Sequence, residues 1–273
     1  MAAWRHADGT ILLTTHTPTD TQFVRVHGLD APIAAAQALP DGDFMVVSHV
    51  ERNVRFPATS GNGWSSRAVN AWVFDNQGAL TTQGDVGRYV NQLQVSTAGT
   101  IWVGYSDQGV YEPGNGLSTH GLVQFSSDLT PEWTFPQGRE VVIDDCGSLN
   151  LADESVWTCP YAEYPLVRIE GDDLSVWHWS GLGDGDNFAA VLVSAPSKPE
   201  YVALVAEGWS HHPGLVAVGR LNSDNVETIA KRELRLPDGS TLPKHSKIVS
   251  RGPDLHVVVG LDWYQIGLED FIQ

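Results

Sequence analysis

An all-β fold, and within it a β-propeller of four-stranded blades, is predicted by three observations. Short β-branched and aromatic runs recur along the whole chain with polar turns between them. The best of these runs return every 45 to 50 residues or so, the period of propeller blades and not of helical repeats. Helical periodicity is hard to find; only Ala31 to Leu39 suggests it, and its Pro32 and alanines suit an inner strand equally.

The clearest unit runs from Tyr89 to Phe135. Tyr89 to Val95 supplies an inner strand, Ser96 to Gly99 a tight turn, Thr100 to Tyr105 a second strand, Gly121 to Phe125 a third and Pro131 to Phe135 an outer one. Second strands of the same kind are read at Ile11 to Thr15, Phe44 to Ser48, Val156 to Cys159, Val202 to Ala206 and Leu255 to Gly260. Third strands follow at Gln22 to Val26, Asn70 to Phe74, Leu166 to Ile169, Leu215 to Gly219 and Tyr264 to Leu268. Six such units predict six blades, with seven as the alternative because the first unit is compressed. The last unit stops soon after its third strand, so Ala2 to His6 is expected to complete it as a closing strand, which would remove an open sheet edge. One domain, residues 1–273, is expected, since no linker or composition shift divides the chain.

Composition narrows the partners. Of 273 residues 42% are apolar, with 10 Trp, 7 Tyr and 8 Phe, enough to fill a core. Acidic side chains outnumber basic ones 33 to 16, and the net charge of −17 repels phosphate backbones and anionic lipid. Neither nucleic acid nor membrane is expected as a partner; a small-molecule ligand, cationic or aromatic, is. The first residues lack the basic and apolar regions of a secretory signal, and no apolar run is long enough to span a bilayer, so a cytoplasmic location is expected. Cys146 and Cys159 are placed opposite each other on one hairpin, and in a reducing compartment they read as buried thiols.

Function should lie where the loops are long and chemically rich, at one mouth of the propeller channel. The segment from Ser48 to Val69 is read as such a loop, with Gly61-Asn62-Gly63 at its tip, and so is that from Tyr105 to Gly121. Aligning the second strands brings His16, His49, Asp107, Tyr161, Glu207 and Asp262 to one height around the channel. Glu207 or Asp107 is the candidate general base and His49 its partner, because a carboxylate beside an aromatic wall has its pKa raised toward neutrality. His16, Tyr105, Tyr161, Arg88, Trp209, His211, Asp145 and Tyr264 are the candidate substrate contacts. Asp107, Glu207 and Asp262 are the candidate ligands for a magnesium or calcium ion; no cofactor is otherwise implied. His211 and His212, adjacent on an extended strand, would point opposite ways and cannot both serve one ion. The Asp184 to Asn187 cluster is too short for an EF-hand and reads as a polar turn between blades. No GxSxG elbow or HExxH helix is present.

The run GTIWVGY at Gly99 to Tyr105, with GLVQF at Gly121 to Phe125 and PEWTF at Pro131 to Phe135, resembles the repeat of streptogramin-lyase and NHL-type propellers. A second copy is DESVWTC at Asp153 to Cys159 with PLVRIEGDD at Pro165 to Asp173. The resemblance implies a propeller fold whose wider relatives include calcium-dependent lactonases and condensing enzymes of the strictosidine-synthase type. The lactonase Glu-Gly-Pro motif before a tryptophan is absent, and no family residue is carried over to this chain. The expected activity is acid–base chemistry on a small molecule: elimination, lactone-type hydrolysis or amine–carbonyl condensation, as in specialised metabolism. The alternative is a non-catalytic ligand- or protein-binding propeller anchored by Trp64, Trp209 and Trp263.

Overall fold

The computed structural model describes residues 2–5, 7–16, 20–57, 64–114, 116–138, 141–182, 186–194, 200–208 and 210–272, the side chains of 2, 4, 16, 49–57 and 64–67 apart. Two compact units divide the chain, Met1–Phe135 and Pro136–Gln273. Each unit consists of successive antiparallel meanders, the blade pattern of a β-propeller.

The first unit opens with a three-stranded sheet, β1 (Ala2–Arg5), β2 (Ile11–His16) and β3 (Thr21–Val26). A four-stranded sheet follows: β4 (Ala35–Ala38), β5 (Phe44–Pro57), β6 (Trp64–Phe74) and β7 (Leu80–Gly84). The next contains β8 (Val90–Val95), β9 (Ile101–Tyr105), β10 (Leu122–Phe125) and β11 (Pro131–Thr134). Between β9 and β10 lie one turn of helix, α1 (Asp107–Val110), and a 3-10 turn, Leu117–His120.

The second unit holds β12 (Leu149–Ala152), β13 (Ser155–Thr158), β14 (Leu166–Glu170) and β15 (Asp173–Trp177), then β16 (Phe188–Val193), β17 (Tyr201–Ala206), β18 (Leu215–Leu221) and β19 (Val226–Glu233). It ends with the three-stranded sheet β20 (Lys247–Arg251), β21 (Asp254–Val259) and β22 (Asp262–Gly267), and a single helical turn, α2 (Glu269–Ile272).

The second strands β9, β13 and β17 are buried along nearly their whole length because each is covered on both faces. Along β5, Phe44 and Val46 enter one apolar cluster with Ile11, Leu13 and Trp72, while Met45 and Val47 enter another with Ile101, Val103 and Phe125. The alternation repeats in β17: Val202, Leu204 and Ala206 pack with Trp157 and Phe188, and Ala203 and Val205 with Ile248 and Leu255. Period-2 side-chain direction thus sends one strand into two cores. The hairpin turns are set locally. In Asp75 to Gly78 the Asp75 carboxylate accepts from the backbone N–H groups of Gln77 and Ala79, both at 2.8 Å. The corresponding turn after β10 puts Leu129, not glycine, at φ 65°. That conformation costs a non-glycine residue about 1 kcal/mol or more. Burial of Leu129 in the core, against Gly84, offsets it: a Cβ on Gly84 would stand 3.1 Å from Leu129 Cβ.

Several expectations are corrected. Among the described residues six blades of four strands do not occur: four sheets have four strands, and the first and last sheets have three. A seventh unit is equally absent among the described residues. The N-terminal strand does not close the last sheet. Ala2–Arg5 pairs with β2, from Ala2 opposite Thr14 to Arg5 opposite Ile11, and Arg5 donates to the Leu29 and Ala31 carbonyls. A hairpin closed by a few residues loses far less chain entropy than pairing across the whole sequence, so the local partner wins. The segment from Ser48 to Val69 is not a loop: β5 and β6 continue as one hairpin, from Arg52 opposite Val69 to Pro57 opposite Trp64, past a register shift after Val47. Its expected tip, Gly61-Asn62-Gly63, lies outside the described residues. Ala31 to Leu39 does carry an inner strand, β4.

Cys146 and Cys159 are both buried thiols that form no disulfide, and they do not face each other. Leu149 pairs with Thr158, and Ser148 Oγ accepts from the Cys159 N–H, so Cys159 lies beside Ser148 and Cys146 lies further along. The Cys146 thiol is 3.6 Å from Thr158 Oγ1. Burial pushes Cys146 up to about 12 and raises Cys159 as well. Because the thiolate is the nucleophile, neither cysteine should react with a disulfide reagent in the folded protein at mildly alkaline pH, and both should react on denaturation. Rapid labelling of the native chain would contradict this burial.

In the second unit the inner strands are held by one amide. Asn150 on β12 is fully buried; its Nδ2 donates to the carbonyls of Val191 (2.6 Å) and Gly252 (2.8 Å), and its Oδ1 accepts from Gly252 N–H (2.7 Å). Ser250 Oγ donates to the Leu149 carbonyl beside it, at 3.2 Å. Strands β12, β16 and β20 therefore meet directly around Asn150.

Candidate acid–base site

The second strand β17 delivers Glu207 to the end of its sheet. Phe188 pairs with Ala206, and Glu207 N–H donates to the Asn187 carbonyl at 2.8 Å, which extends the ladder one step. There the chain must turn, since Gly208 lies against the backbone of Lys244. A Cβ at Gly208 would come within 2.6 Å of Lys244 Cα and carbonyl oxygen, a clash no side chain can relieve. Ser210 N–H donates back to the Glu207 carbonyl (3.2 Å) and Leu215 N–H to that of His212 (3.0 Å), closing a compact turn.

A buried carboxylate organises that turn. Asp186, fully shielded from water, accepts from Ser210 Oγ (2.8 Å) and from His212 N–H (3.0 Å), and His212 Nδ1 lies 3.2 Å from both its oxygens. Ser210 Oγ in turn accepts from Asn187 N–H at 3.0 Å. With its hydroxyl donating and accepting inside the loop, Ser210 is a structural group and not a nucleophile. The His212 side chain is 67% exposed although its Nδ1 is held. A proton on Nδ1, directed at the carboxylate, leaves the Nε2 lone pair facing solvent, which is the form of imidazole that accepts protons or binds substrate. Five residues back, burial raises the half-buried Glu207 carboxyl above the ordinary carboxylate range, and a hydrogen bond from Asn187 only partly opposes this.

The remaining predicted residues are placed as follows. In the second unit Glu207 follows β17 directly, Tyr161 lies three residues past β13, and Asp262 opens β22. His16 and His49 are on β2 and β5, in the first unit; their side chains, like the whole of Trp209, lie outside the described part. Asp107 is exposed, opens α1 and accepts from Gln108 N–H at 2.7 Å. Arg88 is exposed, ion-paired with Glu112 and 5.4 Å from the Tyr89 ring. Tyr105 is a correction. It is fully buried, its hydroxyl donates to the Val86 carbonyl at 2.5 Å, and burial drives its pKa well above the ordinary phenol value, so it fills a core and meets no substrate. Tyr161 is exposed and edge-on to Tyr164 at 5.7 Å, and Tyr164 is edge-on to Phe188 at 5.5 Å. Asp145 is half-buried, and its N–H donates to the Asp144 carboxylate. His211 is exposed beside His212, in a turn and not on an extended strand. Tyr264 is half-buried against an apolar cluster. Among the described residues no group of three or more His, Cys, Asp or Glu is arranged to hold a metal; of the expected ligands, Asp107 belongs to the first unit and Glu207 and Asp262 to the second. Asp186, Ser210 and His212, absent from the predicted set, form the most connected polar cluster of the loop. No helix among the described residues is long and apolar enough to cross a membrane.

No protein-family model and no curated protein matches the chain. Solved structures do. A functionally unknown protein from Desulfotomaculum acetoxidans aligns with 94% of this chain and 78% of its own, at 11% identity and a TM-score of 0.50. KlAtg21, solved with the coiled coil of AgAtg16, aligns over 91% and 73% at 10% identity and a TM-score of 0.51. The WD40 β-propeller domain of Doa1 aligns over 89% and 68% at 11% identity and 0.47. The fold is all-β and of the β-propeller type. At these identities the likeness extends to fold alone.

Proposed function

We propose that the chain is a small-molecule enzyme that works by carboxylate–imidazole acid–base chemistry in the loop after β17. The observation that carries this reading is the buried Asp186 carboxylate fixing Nδ1 of an exposed His212. A carboxylate at that position orients the ring and stabilises the imidazolium that forms when Nε2 takes a proton. His212 thus assumes the role that the sequence suggested for His49. Glu207, its proton affinity raised by burial, is the complementary group that returns a proton to a leaving atom or takes one from a weak acid. The reaction classes this pair serves are elimination, lactone-type hydrolysis and amine–carbonyl condensation. The repeat likeness to streptogramin-lyase and NHL-type propellers agrees with them, and the acidic chain with exposed Tyr161 suits a cationic or aromatic substrate.

The test is a turnover screen over aromatic amines, lactones and their condensation products, followed by variants. His212→Asn and Glu207→Gln should each lower kcat by about 100-fold or more with the fold intact. Unchanged turnover in both would remove this loop from the mechanism. Glu207→Gln has a second readout. A carboxyl whose pKa is raised on folding binds its proton more tightly in the folded state, so its stabilising contribution is complete below the unfolded pKa and is lost as pH rises through the folded one. At neutral pH the ionised Glu207 opposes folding, and Glu207→Gln should raise the melting temperature there while removing activity. A lower melting temperature would mean that the ionised group is favourably solvated.

A further inference from the structure

Three consecutive residues tie the acid–base loop to an aromatic strap. Asp186 holds His212, the Asn187 carbonyl takes the Glu207 N–H at 2.8 Å, and Phe188, which opens β16, meets the Tyr164 ring edge-on at 5.5 Å. Tyr164 in turn meets Tyr161 edge-on at 5.7 Å. Two ring contacts therefore lead from the backbone that anchors the acid–base pair to Tyr161, and every residue in this series belongs to the second unit.

The strap is Pro160 to Pro165, between β13 and β14, with a buried proline at each end. Each pyrrolidine ring fixes its own φ. Glu163 and Tyr164, neither of them glycine, both take left-handed backbone, at φ 60° and 50°. Two such residues in succession are strained, and strain of this kind persists only where the surroundings over-determine it. Here the Tyr164 ring packs into the apolar cluster of Trp157 and Phe188, and the Asp144 carboxylate accepts from the N–H groups of Ala162 (3.2 Å) and Asp145 (3.0 Å). Between these two holds Tyr161 is 46% exposed. An edge-to-face pair covers at most one face of either ring, so at least one face of Tyr161 stays outside its contact with Tyr164.

Charge selects the ring that fits. From Val141 to Val167 the chain has five carboxylates and no lysine, arginine or histidine. Of these carboxylates Glu163 is on the strap and Asp144 is bonded to it. The next cation along the chain, Arg168, is ion-paired with Glu170 and stands 5.5 Å from the Trp157 ring, and Lys244 approaches the acid–base loop at Gly208. A phenol face beside carboxylates attracts a flat cation.

Taking the acid–base role of the loop as given, we propose that the strap is its ring-binding subsite: a substrate with a cationic nitrogen heteroaromatic ring lays that ring on Tyr161 and directs its reacting atoms toward Glu207 and His212. Because the strap is held before the ligand arrives, little ordering is left to oppose binding.

N-methylpyridinium is the probe, titrated calorimetrically into the full chain. One-site saturable binding is expected. Benzyl alcohol, a ring without the charge, and tetramethylammonium, the charge without a ring, should each bind at least about tenfold more weakly. Tyr161→Ala should weaken the probe by about tenfold or more, and Tyr161→Phe, which keeps the ring, by less than about twofold, both with melting temperatures close to the parent's. Saturation should also shift the His212 ring resonances in the parent and leave them unmoved in Tyr161→Ala. Absence of saturable binding overturns the subsite, as does equal affinity for either control or undiminished binding by Tyr161→Ala. Saturable binding that leaves the His212 resonances of the parent unmoved puts the ring away from the loop and overturns it too. Failure of the acid–base reading is seen elsewhere, as parental turnover in both His212→Asn and Glu207→Gln, and the titration does not depend on turnover.

Discussion

Asn150→Ala is expected to lower the unfolding free energy of the second unit by about 3 to 5 kcal/mol. The side chain satisfies three backbone groups, the Val191 carbonyl on β16 and the carbonyl and N–H of Gly252 in the turn after β20. Alanine removes this partner from all three where inner strands meet; the Gly252 carbonyl keeps the Val193 N–H at 3.3 Å, and each buried group left without a partner costs about 1 to 3 kcal/mol. The cavity is small, so the polar loss outweighs the packing loss. Asn150→Asp should be no better: a carboxylate can accept from Gly252 N–H, but it faces the two carbonyls with no donor and adds a buried charge. Guanidinium unfolding followed by circular dichroism tests this through the midpoint, with the slope unchanged if compactness is unchanged. A loss under about 1 kcal/mol for Asn150→Ala would mean that apolar packing alone positions β12, β16 and β20.

What was legible in the sequence follows from how each residue is covered. β9 and β17 are buried on both faces, so Ile101 to Tyr105 and Val202 to Ala206 stand out as continuous apolar runs whatever surrounds them. For Tyr105 the sequence misleads, because a tyrosine at a strand end suggests a binding surface. Yet strand alternation puts it on the face of Ile101 and Val103, and all three share one core. The long hairpin of β5 and β6 was likewise written in the alternation of Val50, Arg52, Val54 and Phe56, which His49, Glu51 and Arg55 made look like loop chemistry. The place of the N-terminal strand was not legible, since the same residues suit a local hairpin and a closing strand, and only loop entropy separates the two. Asp186 was not legible either. The sequence Asp-Gly-Asp-Asn describes a solvated turn and a buried carboxylate equally well, and what distinguishes them is a serine and a histidine more than twenty residues away. Glu207 stands out in the sequence because it follows its strand, β17, directly.

That long-range dependence makes Asp186 the sharper test of the site. Asp186→Asn preserves size, but its amide can accept with one atom only, while Ser210 Oγ, His212 N–H and His212 Nδ1 all approach the carboxylate. An amide N–H directed at Nδ1 makes that nitrogen the acceptor and moves the ring proton to Nε2, where it blocks proton uptake. Loss of the correct tautomer at a histidine of this kind costs about 10⁴-fold in kcat in the serine protease triad, and a fall of about 10³-fold or more is expected here. Asp186→Ala removes every acceptor and should destabilise the turn by about 2 to 4 kcal/mol as well, from donors left unsatisfied. Long-range nitrogen–proton NMR correlations of the His212 ring report the tautomer without any substrate. The parent should show the proton on Nδ1 and Asp186→Asn should show it on Nε2, while Ser210→Ala, which leaves the carboxylate facing the ring, should keep the parent pattern. If the parent ring already carries its proton on Nε2, Asp186 serves only to fold the loop, and the acid–base role then rests on Glu207 alone.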